Sequence, residues 1–74
     1  MENVLLSEKI QIERKQFFID LKENPRGRFL RITEDVGGRR DTIIIPSTGL
    51  DLFRDTIERA IQVEQEQAPV AVET

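Results

Sequence analysis

The stretch "LKENPRGRFLRI", residues 21–32, decides the fold of this chain because it predicts a β-hairpin. Asn24 suits the first position of a type I turn, Pro25 the second and Gly27 the fourth. The ring of Pro25 fixes φ at about −65°, which excludes the mirror-image hairpin turns that need a positive φ at that position. We therefore expect two antiparallel strands joined by an even-length loop.

The register of this hairpin follows from its hydrophobic pattern. If Asn24 and Gly27 close the loop, Leu21 faces Leu30 and the apolar side chains of both strands share one side of the sheet. A slip of one residue would set Leu21 opposite Arg31 and mix the two sides. The other side then carries Phe18, Asp20, Lys22, Phe29 and Arg31, with Lys22 facing Phe29 and Asp20 facing Arg31.

Two further segments show the alternation or the β-branched run that is typical of strands. Together with the hairpin they predict four strands, at residues 9–13, 17–23, 28–33 and 42–45. Pro46 ends the last strand because it cannot donate to the ladder. The sequence "GGRR" at residues 37–40 predicts a second tight turn with its own basic pair.

A helix follows the strands, because apolar residues recur at the spacing of one helical face, at Leu50, Phe53, Ile57 and Ile61. Ser47, Thr48 and Gly49 offer capping positions before it. The order β-β-β-β-α predicts an α+β domain, a four-stranded antiparallel sheet followed by one helix that covers one face. We expect residues 1–7 to be an N-terminal extension, 8–64 the folded repeat and 65–74 a disordered acidic tail.

The composition excludes several classes of function. The 74-residue chain has no Cys and no His, so it offers no thiolate zinc site, no thiol nucleophile and no imidazole base. Its acidic pairs lack a partner base, and we predict no enzyme activity, no metal and no small-molecule cofactor. No apolar run approaches the roughly 20 residues of a membrane helix. We expect no membrane association and a cytoplasmic location, with the bacterial nucleoid as an alternative.

The charge is unevenly distributed along the chain. The net charge is −3, which read globally argues against a nucleic-acid binder. Residues 22–40, however, contain six basic and three acidic residues and are +3, whereas residues 1–21 are −1 and residues 41–74 are −5. This asymmetry indicates a local basic surface.

Three segments together, "KQFFIDLKENPRGRFLRITED", "TIIIP" and "GLDLFRDTIERAI", resemble one repeat of the Pur-alpha family of purine-rich-element binding proteins. The resemblance runs from about residue 8 to residue 61 and implies a β-β-β-β-α fold similar to the Whirly class of single-strand binders. Because the chain holds one repeat, it also implies an intertwined homodimer, as in bacterial single-repeat members. The implied function is sequence-preferring binding of single-stranded, purine-rich (GGN-type) DNA or RNA, with strand separation and transcription regulation.

The resemblance also implies which residues bind. Family binding residues lie on the sheet and in the hairpin between the second and third strands, and this chain matches them at Lys22, Asn24, Arg26 and Phe29. Lys15 matches the basic residue just before the second strand, whereas Gln16 departs from a usually basic position. Phe18, Arg28 and Arg31, from the same hairpin, complete the predicted nucleic-acid-binding set.

Two interpretations stay open. A basic hairpin is also typical of a solvated surface, and Phe18 suits packing against a partner as well as base stacking. The alternative function is a homodimeric protein–protein interaction module with weak or no nucleic-acid binding. The acidic helix and tail favour this alternative, whereas the +3 segment favours binding.

Overall fold

The computed structural model describes residues 2–67 as a four-stranded antiparallel sheet followed by one helix. The strands lie side by side in sequence order: β1 Asn3–Ile12, β2 Lys15–Asn24, β3 Gly27–Val36 and β4 Arg39–Pro46. A short 3₁₀ turn, Ser47–Gly49, leads into helix α1, Leu50–Glu66. The predicted β-β-β-β-α order is confirmed.

The central hairpin has the predicted register. Asn24 pairs with Gly27 and Leu21 with Leu30, and the pairs Lys22–Phe29 and Asp20–Arg31 are present as well. The Asn24 side chain closes the turn, because its Oδ1 accepts a hydrogen bond from the Arg26 N–H at 2.9 Å. This bond fixes the loop, and the loop fixes which side chains share a face.

The other two hairpin turns use positive φ angles. Gly37 and Gly38 have φ angles of 60° and 89°, as a type I′ turn requires at both central residues. The turn between β1 and β2 places Glu13 at φ 54°, a left-handed conformation that costs a non-glycine residue about 1–2 kcal/mol. All three connections are therefore tight, and they leave the register of the sheet little freedom.

Strand β1 is longer than the alternation predicted. It begins at Asn3 rather than at residue 9, so that residues 3–7, predicted as an extension, pair with β2. Glu8, which lies opposite Ile19 on the apolar side, and a bulge at Leu5 break the alternation by which a strand is recognised in a sequence. At the other end α1 includes residues 65 and 66 of the predicted tail. Residues 68–74 lie outside the described residues, and the domain limits stay a prediction.

The helix does not cover the sheet of its own chain, which corrects the predicted packing. Its contacts lie mainly with the 3₁₀ turn before it, and none of its described side chains is buried. Phe53, Ile57 and Ile61, on its apolar stripe, remain 41%, 47% and 50% exposed. An amphipathic stripe shows that a face needs cover, but it does not show which molecule supplies the cover.

The sheet is consequently a single layer with two bare faces. One face, which we call the aliphatic face, carries Leu6, Ile10, Phe17, Ile19, Leu21, Leu30, Ile32, Ile43 and Ile45. Within residues 2–67 no hydrophobic side chain is buried. The thickness of the molecule along its shortest axis is 15 Å, as expected of one layer.

Candidate nucleic-acid interface

The face opposite the aliphatic face carries cations and aromatic rings, and we call it the cation–aromatic face. Cross-strand pairing brings together on it side chains from all four strands: Lys9, Phe18, Lys22, Phe29, Arg31 and Arg40. Directly opposed and diagonal neighbours in a sheet are close enough for long side chains to meet. The face therefore offers charge and flat apolar surface in alternation.

Lys22 and Phe29 form a cross-strand pair near the hairpin turn. The Lys22 Nζ lies 3.3 Å from Oε1 of Glu2, and only 12% of the Lys22 side chain is exposed. The pair sets a lysine directly across from an aromatic residue, with Glu2 as the counter-charge of the lysine. A phosphate that bound Lys22 would compete with Glu2 for the ammonium group.

Two cations flank the ring of Phe18. Lys9 Nζ lies 5.7 Å and Arg40 Cζ 5.2 Å from the ring centroid, within the roughly 6 Å of a cation–π contact. Arg40 is held in turn by Asp35, whose Oδ2 accepts a hydrogen bond from Arg40 Nε at 2.9 Å. Burying these cations in an apolar interface would be costly, which argues against such packing, while the binding role of Phe18 stays a prediction.

Arg31 belongs to a polar row that crosses three strands. Arg31 NH2 donates to Asp20 Oδ2 at 3.3 Å, and the Ser7 hydroxyl donates to Asp20 Oδ1 at 2.6 Å. The Ser7 hydrogen bond, followed by the contacts with Arg31, holds the pKa of Asp20 below its usual value of 3.8. Asp20 therefore keeps its charge, and its contact with Arg31, throughout the neutral range.

The turn between β2 and β3 borders an open groove of about 650 Å³. Its lining is polar and includes Asn3, Asn24, Arg26, Arg28 and Ser47. Asn24 Oδ1 already accepts the turn hydrogen bond, so a base edge could be contacted through the Asn24 amide NH₂ or through the second lone pair of Oδ1. Arg26 is exposed at the tip, where a guanidinium can reach a phosphate or a guanine edge.

The predicted binding residues do not all lie together. Phe18, Lys22, Asn24, Phe29 and Arg31 share the cation–aromatic face, and Arg26 lies at its end. Lys15 and Arg28 point to the aliphatic side instead, where they form ion pairs with Glu34 at 3.0 Å and with Glu23 at 2.8 Å. Their role in binding stays a prediction, and it would have to operate from the other side of the sheet.

Sequence reasoning did not assign Lys9 and Arg40 to this face. Each comes from an outer strand, so its place beside Phe18 depends on a register outside the central hairpin. For Lys9 this is the register of β1 with β2, and for Arg40 it is that of β3 with β4. The signal for Arg40 was the two-residue Gly37–Gly38 turn, which fixes the pairing of Asp35 with Arg40. Extending the register argument through that turn would have found it.

Among residues 2–67, no group of three acidic, His or Cys side chains could hold a metal ion. No helix within those residues has both the length and the apolar character needed to cross a membrane.

Comparison with known proteins supplies independent information on the family to which this chain is similar. The family model described as PurA ssDNA and RNA-binding protein matches residues 1–69. Among curated relatives, Transcription factor Pur-alpha 1 of Arabidopsis thaliana is 44% identical over 63 residues, which cover 85% of this chain and 21% of that protein. Transcriptional activator protein Pur-alpha of Homo sapiens is 40% identical over 74 residues, covering 86% of this chain and 23% of that protein.

A third relative carries a ligand class in its name. Purine-rich element-binding protein gamma of Homo sapiens is 34% identical over 73 residues, covering 81% of this chain and 21% of that protein. The chain thus spans about a fifth of the length of the curated relatives that it matches. The likeness therefore concerns one structural unit of each relative.

Proposed function

Since the chain belongs to the PurA family of single-stranded DNA- and RNA-binding proteins, we propose that it binds single-stranded nucleic acid through the cation–aromatic face. The observation that carries this proposal is the gathering of two aromatic rings and four cations from all four strands on one face. Single strands expose phosphates and unstacked bases at the same time, and such a face meets both.

Two contributions stabilise the proposed complex, neutralisation of phosphates and stacking of bases. Lys22 and Arg26 neutralise phosphates and release counterions, which makes affinity depend on salt. Phe29 stacks under a base, a contact worth about 1–3 kcal/mol. The purine preference that we propose, of the GGN type, comes from hydrogen bonds to base edges, for which the Asn24 amide is available.

We further propose that two copies of the chain pair, each laying its helix on the aliphatic face of the other. In the single chain the apolar stripe of α1 is exposed and the aliphatic face is at most half-buried, and each is an apolar surface that could cover the other. A sheet face and a helix stripe are ordinarily closed against each other. An intertwined homodimer buries both and leaves the two cation–aromatic faces open.

The binding test compares two oligonucleotides at two salt concentrations. Filter binding with a GGN-repeat strand and with poly-T, at about 50 and 200 mM salt, should give tighter binding to the GGN strand and a loss of affinity with salt. A fluorescence-quenched duplex with a GGN strand tests strand separation in the same samples. Absence of binding to either strand at 50 mM salt contradicts the proposed function.

A second candidate function is a homodimeric protein–protein interaction module. It is favoured by the internal neutralisation of the cation–aromatic face, since Lys22, Arg31 and Arg40 each contact a carboxylate of the same chain. The filter-binding test separates the two, because this module would pair without retaining oligonucleotide. Either function is a binding role rather than catalysis, and we propose the cytoplasm or the bacterial nucleoid as its location.

A further inference from the structure

We infer that Arg31 is a base-reading residue and that Ser7 and Asp20 are positioning residues that aim its guanidinium at the Hoogsteen edge of a guanine. This inference rests on the proposed function and deepens it by naming the group that distinguishes guanine. It assigns roles to Ser7, which the sequence placed in the predicted N-terminal extension, and to Asp20, which the sequence placed opposite Arg31.

The position of Arg31 favours a base over a phosphate as its ligand. On β3 it follows Phe29 by two residues, so both side chains point to the cation–aromatic face. Phe18 lies on the neighbouring strand opposite Thr33, one row farther along the same face. Bases stacked on the two rings would therefore lie on either side of the Arg31 guanidinium.

One terminal nitrogen of the Arg31 guanidinium is held by a carboxylate that is itself fixed. Asp20 Oδ2 accepts from NH2 at 3.3 Å, while Asp20 itself is fixed by the Ser7 hydroxyl at 2.6 Å. Asp20 is only 14% exposed, and the row Ser7–Asp20–Arg31 follows the pairing of three adjacent strands. Holding a carboxylate from both sides removes the rotational freedom that an exposed ion pair would otherwise keep.

The donors that remain on Arg31 match the proposed ligand. Its Nε is buried and has no hydrogen-bond partner among the described residues. The side chain is nevertheless 40% exposed, so the terminal nitrogens provide the outward N–H groups. Two such groups in a fixed fork suit the paired acceptors O6 and N7 of guanine, a geometry that a flexible ammonium cannot reproduce.

The experiment measures how much the N7 atom of guanine contributes. Affinities are determined for a GGN-repeat strand and for the same strand with 7-deazaguanine, which lacks the N7 acceptor. Wild type should bind the natural strand about three- to tenfold more tightly, as for the loss of one or two hydrogen bonds. Arg31→Lys, which keeps the charge but loses the fork, should bring this ratio close to one.

The positioning role is tested at Ser7 by the same ratio of affinities for the natural and the 7-deazaguanine strand. Ser7→Ala keeps every charge and should lower the ratio at least twofold, and in an Arg31→Lys background it should have no further effect. Thr42→Val, which removes a hydroxyl from the same face but outside the row of Arg31, is the matched control and should keep the wild-type ratio. Circular dichroism checks that each variant is folded.

The outcomes are distinguishable from those of the proposed function. If wild type retains neither strand, the proposed binding function fails. If wild type binds both strands equally, or if Ser7→Ala weakens both strands by the same factor, binding stands and the base-reading role of this row is overturned. If Ser7→Ala still changes the ratio in the Arg31→Lys background, Ser7 does not act through Arg31.

Discussion

The two faces of the sheet arise from the same alternation of side chains, yet they are satisfied in different ways. On the aliphatic face Leu6, Ile10 and Ile43 remain 47%, 43% and 54% exposed, and the helix of the same chain does not cover them. On the cation–aromatic face the carboxylates of the same chain already neutralise Lys22, Arg31 and Arg40. The aliphatic face therefore needs a second apolar surface to cover it. On the cation–aromatic face, a ligand must compete with carboxylates for the cations.

The largest effect should come from a charge placed on the helix stripe. In the proposed dimer Ile57→Glu loses the burial of an apolar side chain, about 2 kcal/mol, and adds the larger cost of desolvating a carboxylate. Sedimentation equilibrium at micromolar concentration should show a wild-type dimer of about 17 kDa, twice the 8.6 kDa chain, and a largely monomeric variant. The melting temperature of the variant should also fall.

Leu52→Glu is the matched control for this prediction. Leu52 is 72% exposed and lies about 100° or more around the helix from Phe53 and Ile57. The variant should remain dimeric. A wild-type monomer, or a dimer that persists in Ile57→Glu, would contradict the proposal that the helix of one copy covers the aliphatic face of the other.

The next largest effect should come from loss of stacking on the other face. Phe29→Ala should weaken binding to single strands by about tenfold, since base–aromatic stacking is worth about 1–3 kcal/mol per base. The salt slope from filter binding should stay nearly unchanged, because stacking releases few counterions. If the variant instead unfolds or dissociates, Phe29 is part of the core and the two faces are wrongly assigned.

A smaller effect should follow the loss of one exposed cation. Arg26→Ala should weaken all single strands a few-fold and lower the slope of log affinity against log salt by about 0.7, the value for one phosphate contact. Arg28→Ala sharpens the comparison, because Arg28 lies on the aliphatic side in an ion pair with Glu23. If Arg28→Ala changed the salt slope as much as Arg26→Ala, the bound nucleic acid would also reach the aliphatic side of the sheet.

The smallest effect should be a gain of affinity. Glu2→Gln removes the counter-charge of Lys22 and should tighten binding by up to about fivefold, since such a pair is worth about 1 kcal/mol or less. Glu58→Gln, which makes the same charge change on the helix, should bind like wild type in the same filter assay. Equal tightening in both variants would mean that overall charge, not the Glu2–Lys22 contact, limits affinity.

The sequence predicted those parts of the fold that depend on local signals. The turn at residues 24–27 set the register of β2 with β3, and the apolar period located the helix. The start of β1 was missed because the bulge at Leu5 interrupts the alternation. The prediction that the helix packs on the sheet of its own chain was wrong, because a pattern along one chain identifies an apolar surface without identifying what covers it.

The candidate site was likewise predicted only where it depends on local signals. Phe18, Lys22, Phe29 and Arg31 were placed on one face because they belong to one hairpin with a known register. Lys9 and Arg40 were missed because they come from the outer strands, each one register beyond the central hairpin. Ser7 was missed as well, because its hydrogen bond to Asp20 depends on the part of β1 that the alternation did not reveal.

The lack of any buried hydrophobic side chain within residues 2–67 has a kinetic consequence. If a second copy supplies the missing cover, the chain acquires most of its burial only on encounter, and folding becomes a bimolecular step. Refolding should then quicken, and the midpoint of thermal unfolding should rise, as the total protein concentration is increased. The amount of protein present, and not temperature alone, would then determine whether a folded sheet exists at all.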